Sequence, residues 1–187
     1  APSLVGSEMC IRDSDRTIGF NTKPYIIAEL SGNHNGDINR AIKLIDAAVN
    51  SGADAIKLQT YTADTLTIDS NRPEFLIKGG PWDGKKLYDL YKEASTPWDW
   101  HPTIFKYAKQ KKIHCFSSPF DNTAVDFLEK LSAPAYKIAS FELVDIPLIK
   151  KAASKKKPLI MSTGVADYEE ISDACICLLY TSPSPRD

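Results

Sequence analysis

Short apolar runs alternate with amphipathic stretches through the body of the chain. Tyr25-Ile-Ile-Ala-Glu-Leu30 predicts a first strand. Asp37 then stands as a helix cap, Ala41, Leu44, Ile45 and Ala48 recur at helical spacing, and Gly52 closes the helix. The same unit repeats. Strands are predicted over Ala55–Tyr61, His114–Ser118, Ala135–Ser140 and Pro158–Thr163. Helices are predicted over Pro102–Gln110, over Asn122–Leu131 with Val125, Leu128 and Leu131 inward, over Ile146–Ser154 with Pro147 in its first turn, and from Asp167 to about Leu178. A long connection, 62–100, interrupts the rhythm and holds a short helix around Lys85–Glu93; connections of that length in compact domains are usually lids or caps. Strands that alternate with helices imply a parallel α/β sheet with right-handed crossovers. About five such units are present, whereas a closed (β/α) barrel takes eight and roughly 250 residues.

Composition narrows the class. With 187 residues the chain suffices for one substantial core, and 43% apolar and 25% charged residues are ordinary for a globular protein. A net charge of -1 gives no bulk attraction to nucleic acid or to a membrane surface, so neither is expected as a partner. The basic run Lys155-Lys-Lys157 reads as a solvated helix C-terminus. No apolar run approaches the ~20 residues of a membrane span. Residues 1–14 show neither helical nor strand periodicity and lack the apolar core of a signal peptide. Tyr180–Asp187 breaks a helical pattern. Val5–Ser14 and Cys177–Asp187 resemble translated sequencing-adapter tails, so 1–14 and 177–187 are read as non-native tails around a body of 15–176. Of the four cysteines only Cys115 lies well inside that body; no disulfide framework or zinc spacing is expected, and a reducing cytoplasm fits.

The polar residues within the strands are where chemistry is expected. In Ala55-Ile-Lys-Leu-Gln59, alternation turns Ile56 and Leu58 toward the helices and Lys57 and Gln59 inward. Lys137 repeats this between Tyr136 and Ile138. Two inward ammonium groups repel each other unless an anion stands between them. Two solutions are open: an internal carboxylate such as Glu29, or a phosphate or carboxylate ligand. Hydroxyls gather at the strand ends, on Ser117, Ser118, Ser140, Ser162 and Thr163, and Gly164 permits close backbone approach. Such groups at strand-to-helix turns contact phosphate, or simply cap the turns. Glu29 and Glu142 end the first and fourth strands, where a carboxylate holds sugar hydroxyls, handles protons or pairs with a lysine. Asn33 and His34, in the loop Leu30-Ser-Gly-Asn-His-Asn-Gly36, would orient a polar substrate or serve as plain turn residues. His34, His101 and His114 show no metal-ligand spacing, and Trp82, Trp98 and Trp100 are expected to pack the long connection. No Gly-x-Gly-x-x-Gly follows a strand, which weakens a dinucleotide reading.

Ile27-Ala-Glu-Leu-Ser-Gly-Asn-His-Asn-Gly36, Ile56-Lys-Leu-Gln-Thr60, Phe116-Ser-Ser-Pro-Phe120, Ala135-Tyr-Lys-Ile-Ala-Ser-Phe-Glu142 and Ser162-Thr-Gly164 together resemble the N-terminal half of the sialic acid synthase family. Ile77–Asp83, Leu87–Tyr91 and Thr96–His101 are most similar to its pseudaminic acid synthase branch. The likeness spans about Thr17 to Ala174. It implies an incomplete (β/α) TIM-type barrel, about five of eight units, from an enzyme that condenses phosphoenolpyruvate with an N-acetylated amino sugar. It implies that Lys57, Lys137, Ser118, Ser140 and Ser162 hold phosphoenolpyruvate, that Glu29 and Glu142 contact the sugar, and that the full-length enzyme is a homodimer. The family uses a divalent metal, manganese or magnesium, whose two histidine ligands would lie beyond position 187, as would the last barrel units and a C-terminal antifreeze-like domain. The expectation is therefore an inactive, aggregation-prone fragment of a synthase. Two other classes stay open: another phosphoenolpyruvate-condensing or aldolase-type barrel, and a non-catalytic sugar-phosphate binding fragment.

Overall fold

A computed structural model describes residues 8–10, 17–19 and 21–181. Its first two strands, β1 (Glu8–Cys10) and β2 (Thr17–Gly19), pair antiparallel as a small separate ribbon. β1 lies within 1–14, where the sequence shows no strand periodicity. Three residues are too few for alternation to show in the sequence, and the partner strand supplies the hydrogen bonds.

The main sheet is parallel throughout, in the order β3 (Ile27–Glu29), β4 (Ala55–Thr60), β5 (His114–Pro119), β6 (Tyr136–Ile138), β7 (Leu159–Met161). Sequence order equals spatial order, as in a barrel that is wound one unit at a time. β3 and β7 are edges, so the five strands form a half-barrel. Around it lie α1 (Ile38–Asn50), α2 (Ala63–Leu66), α3 (Leu87–Ala94), α4 (His101–Gln110), α5 (Asn122–Lys130), α6 (Ile146–Ala153) and α7 (Tyr168–Thr181). β3, β6 and β7 are shorter than their apolar runs because only the central residues of each run meet a partner in register.

The helices start where acidic caps stand. Asp37 accepts from Asn39 N–H at 2.8 Å, Asp121 from Ala124 N–H at 2.8 Å and Asp145 from Leu148 N–H at 3.0 Å. They end in a common left-handed turn at Gly52, Lys112, Ser132 and Lys156, of which only the first is glycine. After α1, α4 and α5 the next residue closes the turn backwards: Ala53 N–H to Ala48 O, Ile113 N–H to Ala108 O and Ala133 N–H to Leu128 O.

Alternation sorts the strands as predicted. Ile56 and Leu58 pack outward with Ala41, Ile45 and Ile104, and Tyr136 and Ile138 pack outward with Leu128, Leu148 and Ile149. Inside, Ala55, Phe116 and Ala135 form one layer with Tyr25, Ile27 and Ile160. That layer seals the base of the half-barrel and leaves the inward positions above it for polar groups.

One boundary and one surface reading differ from the sequence pattern. α7 runs on to Thr181, and Cys177 is buried in the core, so the break placed at 177 falls inside a helix. The lysine run is only partly solvated: Lys155 pairs with Asp126 at 2.8 Å and Lys157 with Glu129 at 3.0 Å, which ties the loop after α6 to α5. The rest of the C-terminal tail, 182–187, lies outside the described residues.

Candidate active site

The polar groups collect at the C-terminal ends of the strands. Glu29 is in register with Lys57, and they form an ion pair through Glu29 Oε2; the ammonium's side chain is 15% exposed and the carboxylate's 44%. The other oxygen, Oε1, accepts the Ser31 hydroxyl at 2.6 Å. Of the two solutions open to Lys57, the internal carboxylate is thus in place.

Among the described residues, Lys137 has no carboxylate at bonding distance. Its ammonium donates to Ser162 Oγ, across to the next strand, and to Ile138 O at 2.7 Å. Burial pushes its pKa below the ordinary lysine value, and repulsion from Lys57 pushes it further; Glu29 and Glu142 pull the other way. The two ammonium groups therefore feel each other across the inner face.

Ser118 and Lys137 occupy adjacent register positions, since their preceding neighbours, Ser117 and Tyr136, are paired. Ser140 meets Gly164 where the turns after β6 and β7 touch: a Cβ added to Gly164 would lie 3.5 Å from Ser140 Oγ. Glu142 sits in the short 3-10 helix Phe141–Val144. Its Oε2 is buried without a hydrogen-bond partner among the described residues. Burial raises its pKa above the usual glutamate value, with Asp145 adding to the effect and Lys137 opposing it. A buried, unpartnered carboxylate oxygen costs free energy until a donor reaches it.

Ser117 does not belong to this group. It follows Phe116 on β5 and so points outward, where it lies 2.6 Å from Thr60 Oγ1. Thr60 in turn reaches His101 Nε2 at 2.9 Å, and His101 Nδ1 donates to Pro97 O at 3.1 Å. Strict alternation would have separated Ser117 from Ser118.

Asn33 is exposed in the loop after β3, and its carbonyl accepts from Arg40 Nε at 2.8 Å. His34 is buried. Its Nδ1 accepts from Gly36 N–H at 3.1 Å, which places the proton on Nε2, and that nitrogen reaches Thr96 Oγ1 at 3.2 Å. His34 and His101 thus grip adjacent residues, Thr96 and Pro97, at the end of the long connection, and burial lowers the pKa of both. Trp98 stacks on Phe127 and Trp100 meets His34 edge-on, but Trp82 is 53% exposed and does not pack the connection as expected. His114 faces Tyr25, whose hydroxyl bonds its Nδ1.

The comparisons with known proteins decide the family. The NeuB family profile matches residues 44–184. The chain belongs to the NeuB family. It is 52% identical over 158 residues to pseudaminic acid synthase from Campylobacter jejuni, covering 83% of this chain and 46% of that protein. It is 50% identical over 151 residues to pseudaminic acid synthase from Helicobacter pylori, covering 81% and 44%. The chain thus spans about half the length of the curated relatives it matches. Among solved structures, an N-acetylneuraminic acid synthetase from Leptospira borgpetersenii in complex with citrate superposes with a TM-score of 0.80 at 29% identity, over 94% of this chain and 56% of that one. A truncated 3-deoxy-D-arabino-heptulosonate 7-phosphate synthase from Thermotoga maritima, at 12% identity and a TM-score of 0.65, shares the barrel fold.

Sequence reasoning left two members of the site unassigned. Gln59, inward by alternation, is in register with Ser118. Ser31 carried no signal beyond standing two residues after Glu29. As for a divalent metal, no group of three or more His, Cys, Asp or Glu side chains converges among the described residues. These side chains alone do not fit such an ion.

Proposed function

We propose that this chain supplies the phosphoenolpyruvate-holding half of a nonulosonic acid synthase of the pseudaminic acid type. The observation that carries the reading is the pair Lys57 and Lys137, turned to one inner face, where among the described residues Lys57 is bonded to a carboxylate, Glu29, and Lys137 only to neutral oxygens. A ligand with a phosphate and a carboxylate would supply the missing negative charge. Lys137 with Ser162, and Ser118 and Ser140 beside them, would hold its anionic groups. Glu29 and Glu142 would meet hydroxyls of the open-chain N-acetylated amino sugar. The buried Oε2 of Glu142 is an acceptor that still lacks a donor. Asn33 stands exposed on the loop at the same end and would orient the sugar; the imidazole of His34, committed to Gly36 and Thr96, would fix that loop.

The reaction would begin with attack of the phosphoenolpyruvate alkene carbon on the sugar aldehyde carbon, whose oxygen takes up a proton. Water adds to the cationic carbon left behind, giving up a proton, and phosphate departs by C–O cleavage. The fixed ammonium groups stabilise charge as it moves from the alkene to the leaving phosphate. Cytoplasmic location and a homodimer belong to the same proposal, as does the inactivity of the 187-residue chain by itself.

A second reading has one observation in its favour. The lowered pKa of Lys137 would also suit a Schiff-base lysine of an aldolase-type barrel.

The test is a chimera in which residues 15–176 replace the matching half of the Campylobacter jejuni synthase. Phosphate release that requires both phosphoenolpyruvate and the amino sugar supports the synthase. Its absence in a folded chimera, or borohydride trapping of a carbonyl substrate on Lys137, contradicts it.

A further inference from the structure

Ser31 is one of five non-glycine residues described with a positive φ, and the only one of them bonded to a candidate site residue. It follows Leu30, whose N–H is fixed to Lys57 O at 2.9 Å and whose carbonyl accepts Asn33 N–H at 3.0 Å. Leu30 to Asn33 is therefore a tight turn with Ser31 and Gly32 as its central residues. Ser31 has φ 40°, while Gly32 lies outside the left-handed region. A positive φ at the first central position alone is the signature of a turn that ordinarily has glycine first.

Here the order is reversed, and the packing explains the glycine. A Cβ on Gly32 would lie 3.0 Å from Ala94 O, at the end of α3, so a side chain at position 32 would crowd that backbone and glycine fits without displacing it. Glycine at position 31 would remove the backbone strain, yet serine occupies it, and its hydroxyl donates to Glu29 Oε1 at 2.6 Å. Strain kept beside a site points to a use for the side chain that bears it.

We infer that Ser31 is a positioning residue: its hydroxyl locks the Glu29 carboxylate so that the other oxygen faces Lys57, which sets where both charges stand relative to a bound ligand. The consequence for ligand binding rests on the function proposed above; the locking of Glu29 does not. Glu29 is nearly half exposed, and without the hydroxyl its side chain is free to swing about the lysine.

Two substitutions separate the hydroxyl from the backbone. Ser31→Gly removes the hydroxyl and relieves the strain; Ser31→Ala removes the hydroxyl and keeps the strain. Side-chain scalar couplings of Glu29, measured by NMR on the isotopically labelled chain, should report a single χ1 rotamer in the parent and averaged rotamers in both variants. Thermal unfolding should split them, with Ser31→Gly at least as stable as Ser31→Ala. In the chimera described above, both should weaken phosphoenolpyruvate binding to a similar degree, roughly tenfold for a lost bond to a charged group. A single unchanged Glu29 rotamer in both variants overturns the inference. So does a Ser31→Gly protein whose Glu29 stays fixed while Ser31→Ala alone is affected, since the turn rather than the hydroxyl would then matter. Averaged rotamers in a chimera that binds no phosphoenolpyruvate would uphold Ser31 and refute the proposed function instead.

Discussion

Lys57 and Glu29 meet as an ion pair across neighbouring strands, on the one inner level of the half-barrel where the packing changes from apolar to polar. The carboxylate is partly exposed, so the pair should contribute little to folding. A double-mutant cycle with Lys57→Met and Glu29→Gln should give a coupling of about 0.5–1 kcal/mol in chemical unfolding. A coupling several times larger would show that the pair is a folding element, not a charge held ready for a ligand.

The two buried histidines make stability fall in acid. Burial holds His34 and His101 below their ordinary value of 6.5, so between that value and their folded pKa the unfolded chain binds protons that the folded chain refuses. Their contribution is full above about pH 6.5 and is lost as the pH falls through the folded values. Glu142 acts in the opposite sense: its raised pKa gives a contribution present below 4.5 and lost as the pH rises through the folded value. Unfolding free energies measured from about pH 7.5 to about pH 5.5 should therefore decline, and the decline should flatten when His34 and His101 are both changed to Gln. An unchanged slope in that variant would place the acid sensitivity elsewhere.

Three of the four helix-ending turns hold a residue that is not glycine in a left-handed conformation. Replacing Lys112, Ser132 or Lys156 with Gly should raise stability, by about 0.5–1 kcal/mol each, where no side-chain bond is lost. The same change at Lys43, inside α1, should cost about 1 kcal/mol. Thermal melts of the four variants check both signs.

β3 and β7 end the sheet, and apolar side chains stand exposed near these edges: Ile26 before β3, and Phe141, Val165 and Tyr168 near the end of β7, with Tyr168 93% exposed. Along the outer side of β3 an apolar groove of about 290 Å³ opens between Ile26, Ala28, Leu44, Ala47, Ala48 and Ile56. Unpaired edges and apolar surface of this kind favour association. Sedimentation velocity of the 187-residue chain should show concentration-dependent self-association, reduced by Val165→Lys and Tyr168→Lys. A strictly monomeric chain would contradict this.

The sheet and its helices were legible because their signals are local. Period-two alternation separates Ile56 and Leu58 from Lys57, and Asp37 caps its helix from a distance of two residues. What escaped carries no periodic signal or depends on contacts between distant residues. The helix-ending turns at Lys112, Ser132 and Lys156 adopt left-handed geometry without glycine; at Lys112 and Ser132 backbone hydrogen bonds from the turn residue and from the next one hold the turn. Ser117 was grouped with Ser118 by proximity in the chain, although alternation alone puts them on opposite faces. The use of His34 and His101 to grip Thr96 and Pro97 needs the fold of the long connection, which no periodicity encodes. β1 is three residues long and owes its existence to β2.

The most direct measurement is the affinity of the chimera for phosphoenolpyruvate, by calorimetric titration, in the parent and in the Lys57→Met, Lys137→Met and doubly substituted forms. Two ammonium groups facing one doubly acidic ligand predict that each single change weakens binding at least about tenfold and that the double change abolishes it. A folded double variant that binds within about twofold of the parent would show that the ligand's charges are met elsewhere.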